Sequence, residues 1–282
     1  MKKQSGFTLI ELMISSLIGL VVMAGLMNLF ITTNRSVSLS GALSQNQETG
    51  RFAMEYMSNF IRQAGYKDDF TSNNVPALLV PSGKTAETLI TCANAPQSEA
   101  CAVNNPNDAR GDKLSIPFLV NAGDTKRSCS GRLVGDPNTK KIYVNVFWVS
   151  NEAATMRELR CRTYDHTNNN WFDVAVTIIN NVELFEFQVG LANNPTDKYT
   201  ARYVSVDTMK ADNALEYLRS IRIAILTTSQ DSSDTNKIQT KKKKRTYSLL
   251  DAPYLEITDG SLRNIFSNTI ELPNLIESAS EN

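Results

Sequence analysis

The chain has a single histidine among its 282 residues, and neither sign of charge prevails: 29 Lys and Arg stand against 29 Asp and Glu. A nucleic-acid-binding chain usually carries a basic excess, and the total here gives no such sign. His166 lies between Asp165 and Thr167 in a polar stretch, where a solvated imidazole is expected rather than a catalytic one. The four cysteines form no C-x2-C pair, so a zinc site is not expected. No G-x-S-x-G, P-loop or H-E-x-x-H pattern occurs, and no enzyme activity is expected. Asp231, Asp234 and Asn236 lack the spacing and the closing Glu of an EF-hand loop. No metal or other cofactor is therefore expected.

Two further absences shape the N-terminal quarter. There is no proline before Pro76 and no charged residue from Leu12 to Asn34. About 20 apolar residues at roughly 1.5 Å per residue cross a bilayer core as a helix. Lys2 and Lys3 precede the run and Arg35 follows it, so the short N-terminus is expected to stay cytoplasmic and the remainder to be exported. A cleaved secretory signal would need small residues after the apolar core, whereas this core runs into Leu29-Phe30-Ile31. A plain membrane anchor leaves Glu11 unexplained, because a carboxylate at the start of an apolar run is costly unless it has a partner.

The residues Gly6-Phe7-Thr8-Leu9-Ile10-Glu11, after a short basic leader and before the apolar run, resemble the processing site of type IV prepilins and type II secretion pseudopilins. The resemblance implies cleavage after Gly6 by a prepilin peptidase and methylation of the new terminus, Phe7. It also implies an assembly role for Glu11, which would pair with the terminal amine of a neighbouring subunit.

Past Arg35, the residues Phe52, Ala53, Tyr56, Met57, Phe60, Ile61 and Ala64 recur at helical spacing and mark an amphipathic face. Gly65 is a natural stop. The organisation expected is a leader over 1–6, a helix over 7–64 whose 7–34 part lies in the membrane or filament core, and an exported domain over 65–282. Gly41 and Gly50 each weaken the helix by about 1 kcal/mol relative to Ala, and either is a candidate bend. Strands are expected at Glu87–Thr91, Lys113–Leu119, Ile142–Val149, Arg157–Thr163, Val182–Leu191 and Ser220–Thr227. The fold class is α+β: a long N-terminal helix, half transmembrane and half amphipathic, packed on an antiparallel sheet.

Segments through the domain narrow the resemblance to PilW-type minor pilins. They include Arg51-Phe52-Ala53, Ile61 to Tyr66, Leu159-Arg160-Cys161, Asn181 to Gly190, Ile221 to Leu226, and Leu262 to Ile270. At Leu272-Pro273-Asn274 the proline departs from the basic residue that the pattern leads one to expect. The resemblance implies a structural role in a complex of other minor pilins and the major pilin. That complex would prime assembly with the inner-membrane machinery and reach the extracellular pilus tip, where an adhesin is a further candidate partner. A minor pseudopilin of type II secretion is the nearest alternative, and a pilus subunit for DNA uptake or adhesion is another.

Four cysteines in an exported chain point to two disulfides with three possible connectivities. Cys92–Cys101 and Cys129–Cys161 is the favoured pairing. The run Lys241-Lys242-Lys243-Lys244-Arg245 reads first as an exposed hairpin and second as a patch for an anionic partner such as nucleic acid. Arg110-Gly111-Asp112 matches an integrin-type tripeptide, and a turn before the strand at Lys113 explains it.

Overall fold

A computed structural model describes residues 8–66, 75–78, 100–105, 111–150, 157–229 and 243–278. Helix α1, Leu9–Ile61, is capped by Thr8, whose side chain accepts the Glu11 N–H. At 53 residues it is about 80 Å long, and it runs unbroken through Gly41 and Gly50. The two glycines differ in setting. A Cβ on Gly41 would meet nothing within 4 Å, whereas one on Gly50 would sit 2.3 Å from the Phe266 ring. Gly50 is therefore the point where the domain presses against the helix, not a hinge.

The helix uses its two halves differently. The large apolar side chains from Leu9 to Ile31 are 43–80 % exposed. The second half buries Asn46, Gly50, Ala53, Met54, Met57, Ser58 and Ile61, one stripe at three- and four-residue spacing. Of the expected face, Ala53, Met57, Ile61 and Ala64 are buried. Phe52 is 53 % exposed. Phe52, Tyr56 and Phe60 form a ring ladder on the flank, with centroids 5.7 and 5.2 Å apart, and Phe60 reaches Phe147 at 6.1 Å. The helix stops where Gly65 takes φ +71°, and Asn274 Nδ2 donates to the Arg62 and Ala64 carbonyls.

Two antiparallel sheets build the domain. The first contains β1 (Leu114–Val120), β4 (Lys141–Val149), β5 (Glu158–Asp165) and β6 (Asn170–Trp171) in that order, with β7 (Val176–Asn180) also on β5. A small ribbon of β2 (Lys126–Arg127) and β3 (Leu133–Val134) lies between β1 and β4 in the chain. The second sheet follows α1 and has the order β13-β10-β8-β9: Arg263–Glu271, Leu218–Thr228, Val182–Leu191 and Arg202–Val204. Helix α2, Val206–Ala211, follows β9. A second ribbon pairs β11 (Lys243–Tyr247) with β12 (Leu255–Asp259), and α3, Pro273–Ser278, ends the described chain.

One core joins the helix stripe to both sheets, through Phe147, Leu159, Phe185, Phe187, Ile221, Ile223, Ile225 and Ile270 among others. The expected strands from β1 onward are present with ends moved by at most two residues, Val182–Leu191 with none, while Glu87–Thr91 lies outside the described residues. The two faces of β4 do not divide into a wet and a dry side. Phe147 joins the main core, whereas Val144 and Val146 join a second cluster with Leu119 and Tyr164. Pro273 ends no strand prematurely: β13 closes at Glu271, and the proline takes the first position of α3, where its missing N–H costs nothing.

Substituting the two helix glycines should separate their roles. Gly41→Ala is expected to stabilise by up to about 1 kcal/mol. Gly50→Ala is expected to destabilise, because forcing the Phe266 ring aside costs about 1–3 kcal/mol, more than the helix gain. Chemical unfolding of the full chain in detergent, followed by circular dichroism, measures both.

Candidate assembly surface

The N-terminal end of α1 is built by local chemistry. Thr8-Leu9-Ile10-Glu11 is a T-x-x-E sequence, the pattern of a capping box. The Glu11 N–H lies 3.1 Å from the Thr8 carbonyl and 3.4 Å from its Oγ1. Glu11 is also in the first turn, where a carboxylate is favoured by the helix dipole. This local role was legible in the sequence. Beyond it the helix is apolar and uncovered, with a mean hydropathy of 2.3 over an 18-residue window of which no part is buried. Such a surface must be covered by lipid or by other helices. Gly6 and Phe7 lie outside the described residues.

The family described as Type IV Pilus-assembly protein W matches residues 146–274. The Prokaryotic N-terminal methylation motif matches residues 1–27. These two matches support a type IV pilin-like, PilW-type protein. A type IV-like pilin from Thermus thermophilus is similar at 16 % identity and a TM-score of 0.41, covering 84 % of this chain and 96 % of its own. No curated protein matches the chain.

In this PilW-type domain the described part of the lysine run, Lys243–Arg245, is not uniform. Lys241 and Lys242 lie outside the described residues. Lys243 and Lys244 are exposed on β11, and Lys244 pairs with Glu256 across the ribbon at 2.7 Å. Arg245 turns inward and donates to the Ser261 carbonyl at 2.8 Å. The ribbon is anchored by Arg263, which donates to both oxygens of Glu183 at 2.7 Å and to both of Asp259 at 2.7 and 2.6 Å. Among the described residues of the run, two lysines are exposed and one of them is paired.

The cysteines correct the expected pairing in part. Cys101 is disulfide-bonded, and Cys92 lies outside the described residues. Cys129 and Cys161 are buried free thiols where a bridge was expected. They are neighbours: the hydrogen bond from Cys129 and then burial push the Cys161 thiol far up. Both fill space in the main core as small apolar groups. The strand register places Cys161 opposite Phe147, and Cys129 is held by its own N–H to Asn145 Oδ1 and by its carbonyl, which accepts the Tyr56 hydroxyl.

Sequence reasoning missed a buried acid pair. Asp112 and Glu186 are 2 % and 1 % exposed. Asp112 Oδ1 accepts the Asn105 N–H at 2.8 Å, and its Oδ2 accepts the Phe187 N–H at 3.1 Å. The Asp112 N–H donates to the Phe185 carbonyl at 2.7 Å. Gly111 makes this approach possible with φ +86°, since a Cβ would lie 2.0 Å from the Phe185 oxygen. Glu186 has no backbone donor, and its Oε2 has no partner. Burial and the Asp112 charge push it up to about 9, so it holds the shared proton and donates to Asp112. Burial lifts Asp112 to about 6, opposed by its two backbone N–H donors. The pair fastens the segment before β1 to β8, and it disposes of the integrin-type tripeptide, because Asp112 is inside the protein. His166 is half-buried, with its ring 6.4 Å from that of Tyr164, and burial lowers its affinity for a proton. Asp231, Asp234 and Asn236 lie outside the described residues. Among the described residues no cluster of metal-ligating side chains occurs.

Two measurements check this account. Glu186 binds its proton more tightly folded than unfolded, so its contribution to stability is complete below about pH 4.5 and is lost as pH rises through about 9. Asp112, also raised, acts in the same direction up to about pH 6, and the nearby Asp251 charge strengthens both effects. Glu186→Gln keeps a donor to Asp112 and should flatten this slope, melting above the parent at pH 9 and near it at pH 5. For the thiols, a maleimide should label neither Cys129 nor Cys161 in the folded domain and both after unfolding without reductant, read by peptide mass spectrometry.

Proposed function

We propose that this PilW-type protein is a minor pilin that primes type IV pilus assembly and remains at the tip with other minor pilins. The observation that carries this reading is the division of α1 into a bare apolar half and a half packed on the domain. The bare half can pass from lipid into a bundle of like helices without unfolding anything. The first six residues are the leader, removed after Gly6 by a prepilin peptidase, with methylation at Phe7. In a filament core that excludes lipid and water, Glu11 needs a cation, and the terminal amine of a neighbour's counterpart of Phe7 supplies one. The pairing sets the axial register. The domain faces the periplasm before assembly, and its bulk suits an end position better than a repeated lattice. The role is mechanical rather than catalytic.

Glu11→Val tests the reading in cells. Membrane insertion and cleavage after Gly6 should persist, while recovery of the protein in sheared pili should fall at least tenfold. Incorporation at the parental level would overturn the register role. Dependence of a secreted enzyme, rather than of pili, on this gene would favour the pseudopilin alternative.

A further inference from the structure

The sheet edges of this domain are protected in every described case but one. Strand β1 is buried throughout and carries Pro117. Strand β9 has three residues and β6 has two. Strand β7 has five and lies against the core through Val176 and Ile178. The β11–β12 ribbon is charged along both strands. Strand β13 differs: it has nine residues, pairs with β10 without a bulge, and pairs with no other described strand. From Asn264 to Ile270 it contains no charge, proline or glycine. Proteins blunt exposed edges with such residues, because an unblunted edge templates another strand.

The register shows which groups are open. The Ser229 N–H bonds to the Leu262 carbonyl, and the Leu272 N–H to the Arg219 carbonyl. In the same antiparallel register, Asn264, Phe266, Asn268 and Ile270 bond to β10. The N–H and C=O groups of Ile265, Ser267 and Thr269 then point away from it, and all three residues are exposed.

We infer that β13 is a strand-addition site for an extended, uncharged segment of a different subunit of the assembly. The orientation of β13 excludes antiparallel pairing with the same edge of a second copy, and the other described edges of a second copy are short, buried or charged. Along α1, Gly50 meets Phe266, Ser58 meets Asn268, and Arg62 meets Asn274, so β13 and α1 run the same way. Pairing two β13 edges antiparallel about a two-fold axis would turn the partner's α1 end for end. Two helices anchored in one membrane by their N-termini cannot do that. A non-identical subunit, offering a different strand, keeps both helices parallel while its backbone completes the sheet. The inference rests on the chain joining a multi-subunit assembly.

A photo-crosslinking amino acid placed at Ser267 in the full chain, in cells that assemble the pilus, tests it. The expected adduct joins a different pilin-like subunit, mapped by mass spectrometry to an extended segment. Ser267→Pro removes an outward N–H and leaves the β10 ladder, and it should lower co-purification of that subunit at least tenfold. Ser267→Ala should not. Ile265→Lys places a charge on the edge and should repeat the loss if the proline variant folds poorly. An adduct between two copies of this chain, no adduct, or unchanged co-purification in both edge variants would overturn the inference. Cleavage after Gly6 is followed in every strain, so a failure of processing, which bears on the minor-pilin reading, is separated from a failure at the edge.

Discussion

One helix serves two solvents, and the rest of the structure follows from that. The first half of α1 presents apolar side chains on every side and cannot remain in water. The second half has a single buried stripe and cannot hold itself rigid without a domain. Two antiparallel sheets supply that domain, and the small residues on the stripe set how closely they come. Gly50, Ala53 and Ser58 let β13 and β10 lie almost on the helix backbone. The tightest contact, Phe266 over Gly50, belongs to the strand that also carries the open edge. The helix that would enter the filament and the edge that would take a partner strand are thus one mechanical unit.

Interior fastening is polar where the chain turns and apolar elsewhere. Arg219 is 3 % exposed yet donates to the carbonyls of Pro195, Asp197, Glu216 and Leu218. It holds the loop after β8 to the start of β10 without needing a carboxylate. Arg263 does comparable work at the other end of the second sheet through Glu183 and Asp259. Asp112 and Glu186 hold the segment before β1 by sharing a proton. These are buried charges satisfied in three ways, by carbonyl dipoles, by opposite charge and by neutralisation. The arrangement fits a part that carries load.

What could be read in advance follows the range of the forces involved. The helix was legible from local pattern alone, since hydropathy, missing proline and helical spacing all act within a few turns. So were the long strands, and Gly6, Phe7 and Glu11 as a motif. The Thr8 cap, with Glu11 in the first turn, is equally local. Asp112 and Glu186 are 74 positions apart and meet only through the pairing of Gly111 with Phe185, which no spacing announces. The thiols show the opposite error. An even cysteine count predicts bridges by environment, yet whether two sulfurs bond depends on how β5 and the turn at Ser128–Gly131 pack. Arg245 belongs to the same class: a run of five cations looks uniform in sequence, and only the fold turns one of them inward.

The open edge of β13 is the place where local rules and the fold disagree most usefully. Asn264 to Ile270 is a hazardous segment for a free protein, uncharged and strand-forming, and the other edges of the domain show that blunting is within reach of this sequence. A lysine at Ser267 or Thr269 would cost little, because both side chains are exposed. Its absence is explained if the edge is free only before assembly. In the membrane the anchor fixes the helix axis and keeps identical edges from meeting antiparallel, so aggregation with itself is blocked by geometry rather than by charge. On the proposed reading, the anchor that would make α1 an assembly handle also makes an unprotected strand tolerable. Selection of a non-identical partner needs no specific side-chain code beyond a strand that can run beside a parallel helix.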